Sequence, residues 1–500
     1  MDYSLDICGL RAALAAERSR ATLTDLGSVL LQHSWGEVSN TAMVREAHAL
    51  LREAAELFNL GDDGAPFAVM LFNLGTAQSQ LALHADAAAT FARYSALAPD
   101  DSDGHASRAA ALQNCDRYGD AIAAYNDAVR LDPRDAQSWV QRGESQRYLE
   151  QPEAAIESFN RAIAVLEQRS LVSGGVGQSD EHNDSESSDT DEDEDAEATA
   201  ALLEHARHCV AMTLAMVKET RGGALSDAPA PPSRCANGYV SGLFDRFAAT
   251  FDERLVAELH YVGHELVANA ARRSVRGDGE LALRAARGEL RVLDLGAGTG
   301  LCGKLVSDWS KSTTGKLVGV DLSPKMLALA AALGVYDELV VAEVTAWCVA
   351  HAAKSGSAAK QAHAPPAVPP AEEETQAPAA AALVVDFCRP FDIVLAADTV
   401  IYFGALGELF AAVGNLLAQN GRFIFSCEAG KSAEGEEESA ADAACRDGWE
   451  LQGSGRYVHS RACVLGAARR CGLVLESSES ALMRIENGVE VFAEIYCVRL

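Results

Sequence analysis

Two rhythms of apolar and polar residues divide this 500-residue chain. In the amino-terminal part, apolar residues fall at helical spacing and the pattern returns every 34 residues. Ala87, Ala121 and Ala155 correspond, and so do Phe91, Tyr125 and Phe159. Gly75 and Pro99 complete the first copy, Ala128 and Pro133 the second, and Trp139, Gly143 and Ala162 the third. Small residues at fixed positions let one helix approach the next while an aromatic ring fills the gap below, so the pattern predicts an all-α solenoid of three helical hairpins over 66–170. Tyr94 stands where a small residue is expected, Ala109 where glycine is usual, and Glu167 where the closing proline belongs. Residues 43–60 keep helical spacing with few of these residues, so 1–65 is read as amino-terminal helices ending in an atypical cap. The segment 199–222 reads as a closing helix that packs its apolar face on the third copy.

In the carboxyl-terminal part the rhythm changes to short apolar runs separated by helical patterns. Strands are predicted at 290–295, 316–320, 338–342, 391–396, 421–427, 472–477 and 490–499, with helices between the early ones. Strands alternating with helices imply a parallel sheet covered on both faces. The last two strands have no helix between them, so one of them should run antiparallel. Segments without either rhythm separate these blocks: an acidic linker at 171–198 with no Lys or Arg, a linker at 223–236, an Ala/Pro-rich insertion at 351–382, and a further insertion at 431–448. With so little apolar surface to bury, the acidic linker and both insertions are expected to be disordered. Ser185, Ser187, Ser188 and Thr190 each precede an acid within two residues, a pattern that suits acid-directed kinases as well as a plain solvated spacer.

The most specific chemistry lies in VLDLGAGTGLCG at 292–303, where an acid and three alternating glycines separate a strand from a helix. Gly296, Gly298 and Gly300 remove side chains where backbone would pass close to a ligand, and Asp294 sits at the strand's carboxyl end. A second strand ending in an acid follows in KLVGVDLSPKML at 316–327, placing Asp321 to take ribose hydroxyls. The G-x-G-x-G spacing suits a lone nucleoside better than a dinucleotide with its diphosphate, which disfavours a nicotinamide-dependent oxidoreductase.

These residues resemble the class I S-adenosylmethionine-dependent methyltransferases. VLDLGAGTG is similar to their first motif, VGVDLS to their second, and FDIVLAADTVIYFG at 391–404 to the strand whose end faces the transferred methyl. With the upstream repeats, and with YVSGLFDRFAATFDERLVAELHY (239–261) and SGRYVHS (454–460), the chain resembles the tetratricopeptide-repeat methyltransferases. The resemblance implies a tetratricopeptide solenoid followed by a Rossmann-like seven-stranded methyltransferase domain over 237–500, with S-adenosyl-L-methionine as cofactor. It implies that the glycines and Asp294 serve the methionyl part, Asp321 the ribose, and Leu322 and Met326 the adenine. Glu343, with Val344, takes the place of the usual Asp that recognises the adenine amino group. Tyr239 would touch the methionyl carboxylate, and the helix bearing Phe244, Phe247 and Phe251 would cover the donor, its alternative being a plain core stripe. Asp398 would stand beside the methyl, its alternative being a cap for a helix near Ala405, with Tyr402 and Phe403 in the acceptor wall. His459 would accept a proton from the acceptor, its alternative being a surface-loop histidine without a role. The N-P-P-Y sequence of exocyclic-amine methylation is absent, which disfavours adenine and glutamine-amide acceptors.

Charge and cysteine content narrow the partners. A formal net charge of −30, from 72 acids and 42 bases, disfavours nucleic acid and anionic membranes and favours a cationic peptide or a small molecule. The twelve cysteines form no C-x-x-C pair and no paired-Cys/His zinc spacing, so free thiols and no metal site are expected. With no basic, apolar leader in MDYSLDICGL and no run long enough to span a bilayer, a cytoplasmic location is expected. Three functions stay open: methylation of a protein that the repeats recruit, methylation of a small molecule, and an adaptor whose second domain binds the donor without catalysis.

Overall fold

The computed structural model describes residues 4–34, 41–58, 64–173, 189–221, 231–248, 251, 260–362, 389–428, 448–486 and 488–500. It separates into two compact units, Met1–Leu214 and Ala215–Leu500. The central acidic run (174–188, with Ser185, Ser187 and Ser188), most of the 223–236 linker, and residues 363–382 and 431–447 of the two insertions lie outside the described residues.

The first unit is helical. Helices α1 (Ser4–Ala16), α2 (Arg20–His33) and α3 (Thr41–Glu56) precede three hairpins: α4 (Ala65–Gln80) with α5 (His84–Leu97), α6 (Ser102–Gln113) with α7 (Tyr118–Leu131), and α8 (Ala136–Tyr148) with α9 (Pro152–Ser173). The 34-residue register holds at the level of atoms. A Cβ at Gly75 would lie 2.8 Å from the Phe91 ring, and one at Gly143 would lie 2.6 Å from Phe159, so the glycines exist to admit the rings. Where the second hairpin has Ala109 instead, the partner is Tyr125, whose hydroxyl donates to Gln113 Oε1 at 3.0 Å. Tyr94 is accommodated by Gly104, which leaves room for its ring, and its hydroxyl donates to Asp101 Oδ2 at 2.5 Å. The turns repeat as well. Ala82, Asp116 and Glu150, again 34 apart, adopt left-handed φ values of 58°, 58° and 55°. Each is followed by an amide that closes onto the helix five residues back: Leu83 onto Gln78, Arg117 onto Leu112 and Gln151 onto Gln146. Asp101 and Asp135 cap α6 and α8 through their carboxylates.

The closing helix α10 runs from Asp189 to Arg221, beginning ten residues before the expected position, so the end of the predicted acidic linker is helical backbone. Its buried face up to Leu214 includes Ala206, Cys209, Val210 and Met212, and Arg207 pairs with Glu167 on α9. Glu167, found where a proline was expected, thus serves the closing contact.

The second unit contains α11 (Asn237–Phe247), α12 (Gly263–Gly277), α13 (Gly279–Ala286), β1 (Arg291–Leu295), α14 (Leu301–Val306), β2 (Lys316–Asp321), α15 (Pro324–Ala332), β3 (Glu338–Val341), α16 (Val344–Ala362), β4 (Phe391–Ala396), β5 (Leu417–Glu428), β6 (Trp449–Leu451), β7 (Tyr457–His459), β8 (Val474–Glu486) and β9 (Val489–Arg499), with further helices at Gly407–Gly414 and Arg461–Arg470. Seven strands form one sheet in the order β3-β2-β1-β4-β5-β9-β8. The first five are parallel, and β9 runs antiparallel to both β5 and β8, as the missing helix predicted. Two departures stand out. Residues 351–362, expected to begin a disordered insertion, continue α16. SGRYVHS, expected to be a loop, supplies β7 of a separate antiparallel ribbon with β6, in which Trp449 faces His459.

Each face of the sheet carries its own apolar core. Leu293, Leu295, Phe423 and Phe425 pack with the Gly407–Gly414 and Arg461–Arg470 helices, while Val292, Ile393 and Ile424 pack with α12, α13 and α14. Strand order reverses between β1 and β4, so the loops that leave their carboxyl ends diverge and open a crevice there.

Candidate functional site

That crevice is a cavity of about 420 Å³. Among the predicted residues it is lined by Gly296, Gly298, Asp321, Leu322, Glu343, Val344 and Asp398, with Phe244, Phe251, Tyr402 and Phe403 on its aromatic walls. Asp321 ends β2, and its carboxylate is oriented by two amides: Gly298 N–H donates to Oδ2 at 2.8 Å and Ser323 N–H to Oδ1 at 2.8 Å. Burial pushes its pKa up, opposed by the Ser323 and Gly298 amides. The glycines divide their work. Gly298, with φ of 53°, faces open space; a side chain on Gly296 would strike Thr399 at the end of β4. Gly300 does not line the cavity. A Cβ there would lie 2.9 Å from Leu333 and 3.0 Å from Tyr336, so this glycine admits α15 and the loop after it.

Four other predicted residues also turn away from the cavity. Asp294 shares the Val292 face of β1 because strand side chains alternate, and there it accepts the Tyr336 hydroxyl at 2.7 Å. Burial raises its pKa to about 6, opposed by that hydroxyl. Met326 is fully buried in the packing of α15, and Tyr239 is buried on α11 without reaching the cavity. His459 is neither catalytic in position nor on the surface. It is buried on β7, and Nε2 donates to the Gly404 carbonyl at 3.1 Å. Burial lowers its pKa to about 4. Glu343 stays at the cavity but also receives the Thr345 and Ala346 amides at 3.0 and 2.7 Å, capping α16, and lies 3.5 Å from Arg234. The side chain of Phe247 lies outside the described residues.

Asp398 has the most unusual environment. It adopts φ of 56°, a left-handed conformation for a non-glycine residue, and caps no helix. Its amide donates to Ser426 Oγ at 2.8 Å, Oδ2 lies 3.7 Å from Arg484, and the buried Oδ1 has no hydrogen-bond partner. Burial raises its pKa against the pull of Arg484 and Arg456. Arg484 is nearly inaccessible and is shared with Glu428 at 2.9 Å and Glu486 at 3.0 Å; Glu486 also pairs with Arg456 at 2.8 Å. Arg456 and Glu486 line the cavity together with Tyr261, His264 and Thr299. Of these, Tyr261, Thr299 and Arg456 fall within 239–261, 292–303 and 454–460, whereas His264 and Glu486 lie in no motif, and a late hairpin brings Arg484 and Glu486 to the end of β4.

The cysteines of the described residues are free thiols. Among those residues no helix is long and apolar enough to cross a membrane. No curated protein matches the chain. Among solved structures, MamA is similar at 18% identity over 34% of this chain and 92% of that chain, with a TM-score of 0.30. YrrB, described as a TPR protein with an unusual peptide-binding site, is similar at 18% identity over 34% of this chain and 81% of that chain, with a TM-score of 0.29. Residues 136–165, which span α8 and most of α9, match the tetratricopeptide repeat family. The amino-terminal unit therefore contains helical hairpins of which the third, over 136–165, matches the tetratricopeptide repeat.

Proposed function

We propose that the carboxyl-terminal unit is a Rossmann-like, S-adenosylmethionine-dependent methyltransferase and that the repeats recruit a protein acceptor. The observation that carries this reading is Asp321. Its two oxygens are pre-oriented by backbone amides at the mouth of a glycine turn, at the switch point of a parallel sheet, as a ribose diol requires. Leu322 and Val344 offer apolar surface for a purine, and Glu343 offers an acceptor for its amino group. When bound, the donor supplies an electrophilic methyl on a sulfonium. Phe244, Phe251 and Tyr402 suit that cation and exclude water. Asp398, with an unpartnered oxygen and a raised pKa, is placed to take the acceptor's proton, and Arg484 holds it in place. Asp294, Gly300, Met326, Tyr239 and His459 support the fold around the site.

Calorimetry of the full chain with S-adenosylhomocysteine tests the reading. Asp321→Ala removes two charge-assisted bonds to the ribose, about 1.5–3 kcal/mol each, so binding should weaken at least about 100-fold. Unchanged binding in the folded variant would sink the assignment. The family match at 136–165 favours a second reading, an adaptor whose second domain binds the donor without catalysis, and a wild-type chain that binds S-adenosylhomocysteine but transfers no methyl would favour it over the first.

A further inference from the structure

Three metal-ligating side chains of different chemistry meet inside the amino-terminal unit, where no motif announces them. Glu144 lies on α8, while His205 and Cys209 lie four residues apart on one face of α10. Their donor atoms all fall within 4.8 Å of one another, and His205 Nε2 is already 2.9 Å from Glu144 Oε1. A tetrahedral ion bound at 2.0–2.3 Å needs donors roughly 3.3–3.8 Å apart, so small rotations close the set. Cys209 is inaccessible, and the side chains of His205 and Glu144 are only 12% and 8% exposed.

We propose that Glu144, His205 and Cys209 bind a divalent cation of the zinc class, which fastens the closing helix to the third repeat. Nitrogen, sulfur and oxygen donors together select zinc-class ions over magnesium or calcium, which prefer all-oxygen sites. The surroundings support the donors. Glu144 Oε2 faces the Gln113 amide nitrogen at 3.5 Å, and Gln113 Oε1 receives the Tyr125 hydroxyl. Tyr125 occupies the position that is Phe91 and Phe159 in the other two copies, so the one hydroxyl in this series sits where it orients a ligand's neighbour. Three protein ligands leave one coordination position for water. Binding uses the thiolate and a deprotonated Nε2, so the Cys209 proton and the proton that His205 Nε2 donates to Glu144 both leave to solvent as the metal bonds form.

The test is titration of chelator-treated full-length chain with Co²⁺, followed by displacement with Zn²⁺. One equivalent should bind with a thiolate-to-cobalt charge-transfer band, and Zn²⁺ should raise the melting temperature. Cys209→Ser should lose the band and the melting shift, with helicity checked by circular dichroism. Glu144→Gln keeps the thiol and the side chain's shape, so it should retain a sulfur band but bind at least tenfold more weakly. No binding by the wild type would overturn the proposal, leaving a hydrogen-bonded His–Glu pair, as would a band and affinity unchanged in both variants.

Discussion

Replacing His459 with glutamine separates a structural histidine from a catalytic one. The ring is neutral in the folded chain: Nε2 donates to the Gly404 carbonyl, and Nδ1 is buried without a hydrogen-bond partner. Protonating Nδ1 would place a charge where nothing receives it, which is why burial holds the pKa at about 4 against an ordinary 6.5. The unfolded chain therefore takes up this proton first as pH falls. The contribution to stability is complete above pH 6.5 and is lost progressively as pH falls through about 4. Each tenfold difference in proton affinity between the folded and unfolded chain is worth about 1.4 kcal/mol, so the whole loss amounts to about 3 kcal/mol. His459→Gln keeps a donor for Gly404 and cannot titrate. Urea unfolding of the full chain, followed by tryptophan fluorescence from pH 8 to pH 4, should show the wild-type curve falling more steeply than that of the variant, while the two keep equal affinity for S-adenosylhomocysteine. Other titrating groups are common to both proteins and cancel in the difference. Parallel curves would refute the burial argument, and a variant of normal stability that had lost methyl transfer would return His459 to the chemistry.

Asp398→Asn should keep the melting temperature within a few degrees and S-adenosylhomocysteine affinity within twofold, while methyl transfer falls about 100-fold, the usual scale of a lost general base. Single-turnover methylation alongside calorimetry distinguishes this from a donor ligand, whose loss would weaken binding instead. Gly143→Ala should lower the melting temperature, because overpacking against Phe159 costs about 1–3 kcal/mol and opposes a helix-propensity gain of about 1 kcal/mol. Adding Phe159→Leu should recover part of the loss; a Gly143→Ala chain more stable than wild type would show that the ring moves freely.

What could be read in advance was whatever depends on spacing along one element. The 34-residue register, the order of the early strands and the placement of Asp321 are of that kind. Side-chain direction was not legible, because it depends on what packs above each position. Asp294 turned under α14 to meet Tyr336, and Met326 turned into the core, although both stand close to residues that do line the cavity. Glu343 was legible as an acid at the end of β3, but its second task as the cap of α16 was not. Partners far apart in the chain were the least legible: Asp398 with Arg484, Arg456 with Glu486, and Glu144 with His205 are joined only by the fold. A paired glycine or acid announces itself locally, whereas an arginine on a late hairpin looks like any exposed charge until the hairpin is placed.

The pairing of Tyr94 with Gly104 gives the order of the hairpins an address. A chain of near-identical hairpins is prone to a particular folding error, in which a helix docks on the equivalent helix one copy further along. In this molecule such a slip would set Tyr94 against Ser138, the residue 34 positions beyond Gly104, which carries the side chain that Gly104 lacks. The same slip would set Phe91 against Ala109 instead of Gly75, bringing a methyl group onto a ring that now lies against bare backbone. Backbone turns and caps recur so evenly that they would tolerate either arrangement. The departures from the repeat pattern are what make the copies distinguishable, so during synthesis each hairpin can recognise its own neighbour and reject its near-twin.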